Sequence, residues 1–461
     1  MTKTPRGSAM TSVERRATIT LSSLFALRML GLFLILPVFS LYAPALTGST
    51  PLLIGFALGA YGLTQAILQI PFGIWSDRFG RRPIILFGLG MFAVGGAVAA
   101  LSHSIYGVIL GRALQGAGSI AAAIMALAAD LTREEQRTKA MAAIGMSIGL
   151  AFAVALVGGP ILAHWIGLSG IFWFTVAAGV LGIVAFEIGI PHHVHSQVHR
   201  DAEAVPAQFK DVLADRQLLR LNFGILFLQM VLTASFVVLP LALRDVAGLD
   251  ASKHWHVYLP VMILSLLFMT PFVIVAEKYR LLKPIFLGAV AALGLSELGM
   301  LEWHSSLYGL GAMLTLFFTA VNLLEATLPS LVSKIAPPDR KGTAMGFYST
   351  FQFFGAFLGG MIGGWLHGQE GLSAVFVACA VMTLIWFVTA FSMKNPRALS
   401  SHLLHTGVLN EAQARELSAR LTRVPGVAEA VVIAAEGTAY LKVDRHLLDF
   451  EALREFSPAE G

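Results

Sequence analysis

Residues 71–86 read PFGIWSDRFGRRPIIL. One carboxylate, Asp77, stands among Arg78, Arg81 and Arg82, with Gly73 and Gly80 beside it and long apolar runs on both sides. A second stretch, PFVIVAEKY at 271–279, echoes it, with Glu277 over Asp77, Lys278 over Arg78 and Tyr279 over Phe79. A charged knot between apolar runs, occurring twice, reads as the turn of a repeated membrane hairpin.

The flanking sequence agrees. Of 461 residues, 56% are hydrophobic and only 13% charged, against about 25% charged in soluble domains. A chain this apolar cannot cover itself with polar surface, so the bilayer is its expected solvent. Crossing ~30 Å of hydrocarbon takes about 20 apolar residues. Twelve such spans are expected, at 18–43, 52–74, 83–101, 105–130, 139–164, 168–190, 218–243, 256–276, 284–302, 306–332, 343–366 and 371–393. The first is too long for a cleaved leader and reads as a retained helix.

Twenty lysines and arginines lie in the N-terminal tail, the even loops, the 191–217 linker and the start of the seventh span; the odd loops carry two, Arg244 and Lys253. This bias places both termini and the linker in the cytoplasm. The net charge of +5 is therefore a topological signal and implies no nucleic-acid partner. The single cysteine, Cys379, excludes an internal disulfide and a CxxC metal site.

The two halves also repeat each other. GLSGIF at 167–172 answers GLSAVF at 371–376, an offset of 204 that also sets Met141 on Met345 and Gly159 on Gly363. Spans 1–6 and 7–12 read as two copies of one six-helix bundle, 1–190 and 218–395, with a linker at 191–217 and a polar domain at 396–461. Parallel repeats of this kind suit a rocking transporter with its site between the halves. The fold class is thus an all-α polytopic membrane protein with a small α+β appendage.

These features together resemble the major facilitator superfamily. GIWSDRFGRRPII at 73–85 is similar to its loop 2–3 motif, departing at Trp75, Ser76 and Ile85. Three stretches resemble the drug/proton antiporter branch: LGLFLILPV (30–38), GRALQGAGSIAAA (111–123) and GGPILAH (158–164). Phe39 replaces the usual continuation to a second proline in the first, and Ala163 and His164 stand where the third has paired glycines. The resemblance implies a proton-driven efflux carrier at the bacterial inner membrane, with no cofactor. It implies that Asp77 latches the halves in the outward-facing state against the start of span 11, near Gly342 and Thr343. Physically, a carboxylate there meets a helix N-terminus carrying about +0.5 charge. Arg78, Arg81 and Arg82 would hold Asp77, Gly73 would allow close helix approach, and Gly80 a tight turn.

Charges within spans are costly and functional by default. Arg112 shares a helix face with Gln115. Two readings fit it: a structural fork on neighbouring carbonyls, or the proton-coupling role that the resemblance implies. Arg28, near mid-membrane, either lines a substrate cavity or makes a structural bond. Glu325 in NLLEATLP has Asn322 on its face and Pro329 four residues on, which frees its carbonyl. It is the strongest candidate for a proton or cation site, against a structural acid. Gln65, Asn222, Gln229, Asn322 and Gln352 are further cavity candidates, and Glu187 and Glu297 read as interfacial. Glycines 355, 359, 360, 363 and 364 read as small-residue helix packing.

His192, His193, His195 and His199 lie in the polar linker, where no metal function is expected. Residues 208–220 look amphipathic and suited to the membrane surface. The tail reads as strand 399–405, helix 410–421, strands 427–434 and 438–444, and helix 448–456. This order resembles a ferredoxin-like metal-associated domain without its CxxC loop, hence a regulatory, docking or oligomerising module with an unnamed cytoplasmic ligand. No phosphate loop, catalytic triad or metal-ligand spacing points to an enzyme. The expected function is proton-coupled export of small amphiphiles. Import of a metabolite, or signalling through the tail, are the alternatives.

Overall fold

The computed structural model describes residues 10–191, 205–394, 400–407, 409–434, 437–444, 447–449, 452–453 and 456. The four linker histidines and most of the expected last helix lie outside the described residues.

Helix α1 (Ser12–Phe33) starts in a capping box: Thr11 Oγ1 accepts from Glu14 N, and Thr11 N donates to Glu14 Oε2 at 2.8 Å. The expected first span is not one helix. The chain turns between Leu34 and Val38, around Pro37, before the short α2 (Phe39–Tyr42). Proline supplies no amide hydrogen and clashes with the preceding turn, so the helix ends there.

Helix α3 (Pro51–Phe79) is capped by Thr50 and ends at Gly80, whose φ of +94° favours glycine. Helix α4 (Arg81–Leu101) follows at once. The fourth span is also broken, into α5 (Ile105–Ala117) and α6 (Ala121–Leu131). At the break Gly118 lies on the backbone of Gly88, where an added Cβ would sit 2.2 Å from the Gly88 carbonyl. Helix α7 (Glu134–Gly189) holds spans five and six, which meet at the non-helical Gly167.

The short α8 (Phe209–Ala214) leads into α9 (Arg216–Leu241), capped by Asp215. Then come α10 (Trp255–Lys278), α11 (Leu282–Trp303), α12 (Leu307–Ile335), α13 (Lys341–Glu370) and α14 (Leu372–Phe391). Ten helical stretches of the described residues are long and apolar enough to cross a membrane. One of them, Lys139–Gly189, is divided by Gly167, and the glycine-rich α13 is not among them.

Helices α1 and α3–α7 pack on one another, as do α9–α14, and α3 against α13 joins the two sets. The glycines of α13 serve both contacts. Added Cβ atoms at Gly355 and Gly359 would lie 2.3 Å from Leu226 and Met230 carbonyls of α9. At Gly360 and Gly364 they would lie 2.3 and 2.5 Å from the Gly55 and Pro51 carbonyls of α3. The stripe expected for helix packing thus has one edge inside a bundle and one edge on the seam.

The seam is closed at the end bearing Pro51, where α2 also meets α9 and α7 meets residues 251–253. Ile263, Leu264, Leu266, Leu267 and Phe268 of α10 are each at least 40% exposed. Neighbouring positions point about 100° apart, so more than one face of this helix is open.

The tail forms β1 (Ser400–His405), α15 (Glu411–Leu421), β2 (Val427–Ile433) and β3 (Thr438–Val443), in an antiparallel sheet of order β1-β3-β2. The strands and helix fall within a residue of expectation. Leu404, Leu421, Ala439 and Leu441 form its core. Lys442 ties it to the helices, donating to the Ile335 carbonyl at the end of α12 at 2.9 Å, while Arg280 reaches Asp444 at 3.3 Å.

Candidate functional site

The loop after α3 is an ion-pair cluster in which the three arginines divide their work. Arg81, 4% exposed, pairs with Asp77 across the Gly80 turn and with Asp130 at 3.2 Å on α6. Arg82 instead pairs with Glu187 on α7, donates to the Ile190 carbonyl at 3.3 Å, and lies over the Phe186 ring. The guanidinium of Arg78 lies over Phe79. So Arg81 holds Asp77, whereas Arg82 staples the loop to α7. Gly80 makes the expected turn. Gly73 does not make a forced contact: an added Cβ would meet that of Ala122 at 3.4 Å, an ordinary distance.

Across the seam, the start of α13 is engaged by the linker. Thr343 is buried; its Oγ1 accepts from Val205 N at 2.9 Å and donates to Gln208 Oε1 at 2.8 Å. Gln208 Nε2 donates to the Asp339 carbonyl at 3.0 Å, and Arg340 pairs with Asp211 at 3.0 Å. Phe209 meets Phe347 edge-on, and Val212 is buried. The stretch expected along the membrane surface thus docks on the start of α13. Its apolar side has a protein partner that periodicity alone does not name.

Within the first set of helices lies a buried polar network. Arg28 Nη2 donates to Gln65 Oε1 at 2.6 Å, Gln65 Nε2 to Gln69 Oε1 at 3.1 Å, and Ser119 to that same oxygen at 2.8 Å. Arg112 donates to Gln115 Oε1 at 3.2 Å and the Leu58 carbonyl at 3.4 Å; Gln115 donates onward to Thr175 at 2.9 Å. Tyr61 lies between the two arginines, 5.6 Å from the Arg28 and 5.2 Å from the Arg112 guanidinium carbon. Arg28, Gln65, Arg112 and Gln115 are each at most 1% exposed.

In the second set, Gln229 on α9 donates to Glu325 Oε1 at 2.5 Å, both half-buried. Asn322 donates to Ser265 at 3.2 Å. Asn222 is buried and Gln352 half-buried, without being drawn into the Glu325 pair. Glu297 corrects the sequence reading. It is fully buried, accepts from Ser235 at 2.7 Å, and stands near Cys379 rather than at an interface. Its place along the helix suggested headgroup depth, but its face of α11 points at α9 and α14.

Sequence reasoning missed Asp130 and Tyr61 as members of these clusters. Asp130 ends an alanine-rich run, and its pairing with Arg81, 49 positions away, leaves no pattern in the local sequence. Outside the spans, Lys442 is held below the ordinary lysine range, chiefly by burial, with Glu429 opposing.

Comparison with known proteins follows from this geometry. The sequence profile of the Major Facilitator Superfamily matches residues 21–296 and 255–423. The chain is 46% identical to the inner membrane transport protein YajR of Escherichia coli over 435 residues, 94% of this chain and 95% of that one. It is 27% identical to the multidrug resistance protein MdtH of Aeromonas salmonicida over 380 residues, 78% of this chain and 92% of that one. A bacterial homologue of the lysosomal transporter Spinster, solved inward-facing and occupied, superposes with TM-score 0.66 at 16% identity, over 83% of this chain and 97% of that one. That last likeness concerns the fold alone. A profile matching most of the chain and a close full-length relative agree with the observed helices: this multi-pass membrane protein belongs to the Major Facilitator Superfamily of transporters.

Proposed function

We propose that the chain is a proton-coupled secondary transporter of the bacterial inner membrane, exporting small amphiphilic molecules by alternating access, with both termini in the cytoplasm. The observation that carries this reading is the Glu325–Gln229 pair at 2.5 Å inside the second helix set. An acid in a span with one amide partner and no paired cation among the described residues is suited to take up and release a proton. In this reading Arg112, Gln115 and Glu325 couple the proton, and Arg28, Gln65, Asn222, Gln229, Asn322 and Gln352 face the substrate at some stage of the cycle. The close contact of α3 and α13 at the Pro51 end suits a state closed on that side. On closing, Asp77, still held by Arg81, would approach the start of α13. The multidrug name of the MdtH relative supports export. Ala163 and His164 in the fifth span favour import as the second reading.

The test is proton flux in proteoliposomes across a broad compound panel. Substrate-dependent proton exit in exchange for export supports the reading. Co-directional movement favours the importer, and no substrate-dependent flux for any compound refutes both.

A further inference from the structure

Arg28 and Arg112, buried in the first set of helices, lack a counter-charge among the described residues. Residues 10–190 contain six acids: Glu14, Asp77, Asp130, Glu134, Glu135 and Glu187. All stand at span ends on the Asp77 side. Glu14 lies fourteen residues down α1 from Arg28, about 21 Å along the helix. Asp77 lies twelve residues beyond Gln65 on α3, about 18 Å. Four of them are in addition committed to arginines of their own: Glu14 to Arg133, Asp77 and Asp130 to Arg81, and Glu187 to Arg82.

The Arg28 cluster has an excess of donors. Its Nη2 is used on Gln65, but Nε and Nη1 are buried with no partner among the described residues, as is the Tyr61 hydroxyl. The Gln65 amide that could turn an oxygen toward them is already fixed between Arg28 and Gln69. A buried guanidinium with open donors is costly unless an anion satisfies it during the working cycle. Position adds to this. The Tyr61 ring meets Phe353 of α13 at 6.3 Å, and Gly62 beside it touches the Phe353 carbonyl, where an added Cβ would sit 2.5 Å away. The cluster therefore lies one side chain from the seam that must open and close in transport.

We propose that Arg28, with Tyr61 and Gln65, is the subsite for the anionic group of the transported molecule, so that this carrier takes organic anions. The inference rests on the transporter reading above and names its substrate class. The guanidinium fork suits a carboxylate, sulfonate or phosphate in two-point contact. Phe353 and the apolar seam suit the rest of an amphiphile. Glu325, on the other side, stays free to carry the compensating proton.

The test uses the full chain in lipid nanodiscs and a panel in which each scaffold comes as anion, neutral isostere and amine, such as 4-phenylbutyrate, 4-phenylbutanol and 4-phenylbutylamine. Sulfonates and phosphates extend the set. Thermal stabilisation by anionic members, absent for their isosteres, is expected in the wild type. Arg28→Gln should weaken anion binding roughly tenfold to a hundredfold, the worth of a charge-assisted bond. Arg28→Lys should retain the preference for anions at lower affinity. The wild-type comparison needs no variant, so a poorly folding Arg28→Gln does not blunt it. Equal stabilisation by isosteres, stabilisation by amines, or none by any anion overturns the proposal. Proton flux driven by amines in the wild type would overturn it while leaving the transporter reading standing; absence of flux for every compound would remove that reading itself.

Discussion

Gly360 offers the sharpest mechanical test of the seam. It faces α3, and a methyl placed on it would lie 2.3 Å from the Gly55 carbonyl oxygen and 3.1 Å from Gly59 N. A carbon and a carbonyl oxygen rest at about 3.3 Å or more, so α3 and α13 must part by about 1 Å there. Both obstacles are backbone, which cannot swing aside. Overpacking of this kind costs about 1–3 kcal/mol. The cost falls only on the state in which this end is closed, because parting the helices removes the clash. Gly360→Ala should therefore shift the balance between the two ends by roughly 5- to 150-fold toward opening here. Gly355→Ala is the control. Its methyl would meet Leu226 of α9 at 2.3 Å, within one bundle, so it should lower thermal stability without biasing the two states. Spin labels at Thr50→Cys and Gln369→Cys, both exposed at the closed end, in a Cys379→Ser background, report the ratio of short to long distances. An unchanged ratio in Gly360→Ala beside a normal fold would refute the reasoning.

Other variants probe the supporting contacts. Asp130→Ala removes one of two carboxylates from buried Arg81 and should cost about 1–3 kcal/mol in thermal unfolding, with Asp77→Ala adding less than its separate effect because Arg81 is shared. Glu297→Gln, which keeps an acceptor for Ser235, should leave the melting temperature within a degree or two, whereas Glu297→Ala should lose about 1–3 kcal/mol. Lys442→Met removes the cation from the end of α12 and should make the tail domain more open to limited proteolysis near residue 395, by roughly 0.5–2 kcal/mol of lost docking.

How much could be read from the chain follows from what each feature depends on. The spans, the repeat and the tail's strands were legible because bilayer thickness and sheet periodicity impose patterns on contiguous residues. The break in span four was not, because Gly118 matters only against Gly88; Pro37 carries its own local signal, but membrane helices also tolerate proline, so its presence alone does not mark a break. Counting position along a span put Glu297 near a headgroup; which face it lay on decided otherwise. Arg81 and Arg82 are adjacent in sequence yet serve Asp77 and Glu187 respectively, since successive helix positions diverge by about 100°. Gly73 and Gly360 look alike in sequence, and only the distance to the facing backbone separates an ordinary contact from a forced one. The docking of Gln208 and Asp211 on the start of α13 joins residues more than a hundred positions apart, which no local pattern encodes.

The central claim is that Glu325 carries the coupled proton, and Glu325→Gln isolates it. Glutamine keeps the hydrogen bond with Gln229 and mimics the protonated acid, so binding and substrate exchange down equal gradients should persist. Uphill transport driven by an imposed pH gradient in proteoliposomes should be lost. Measuring both modes on one preparation is the most direct test. Exchange retained with proton-driven transport abolished is the predicted result; pH-driven accumulation at the wild-type level in Glu325→Gln would contradict the account.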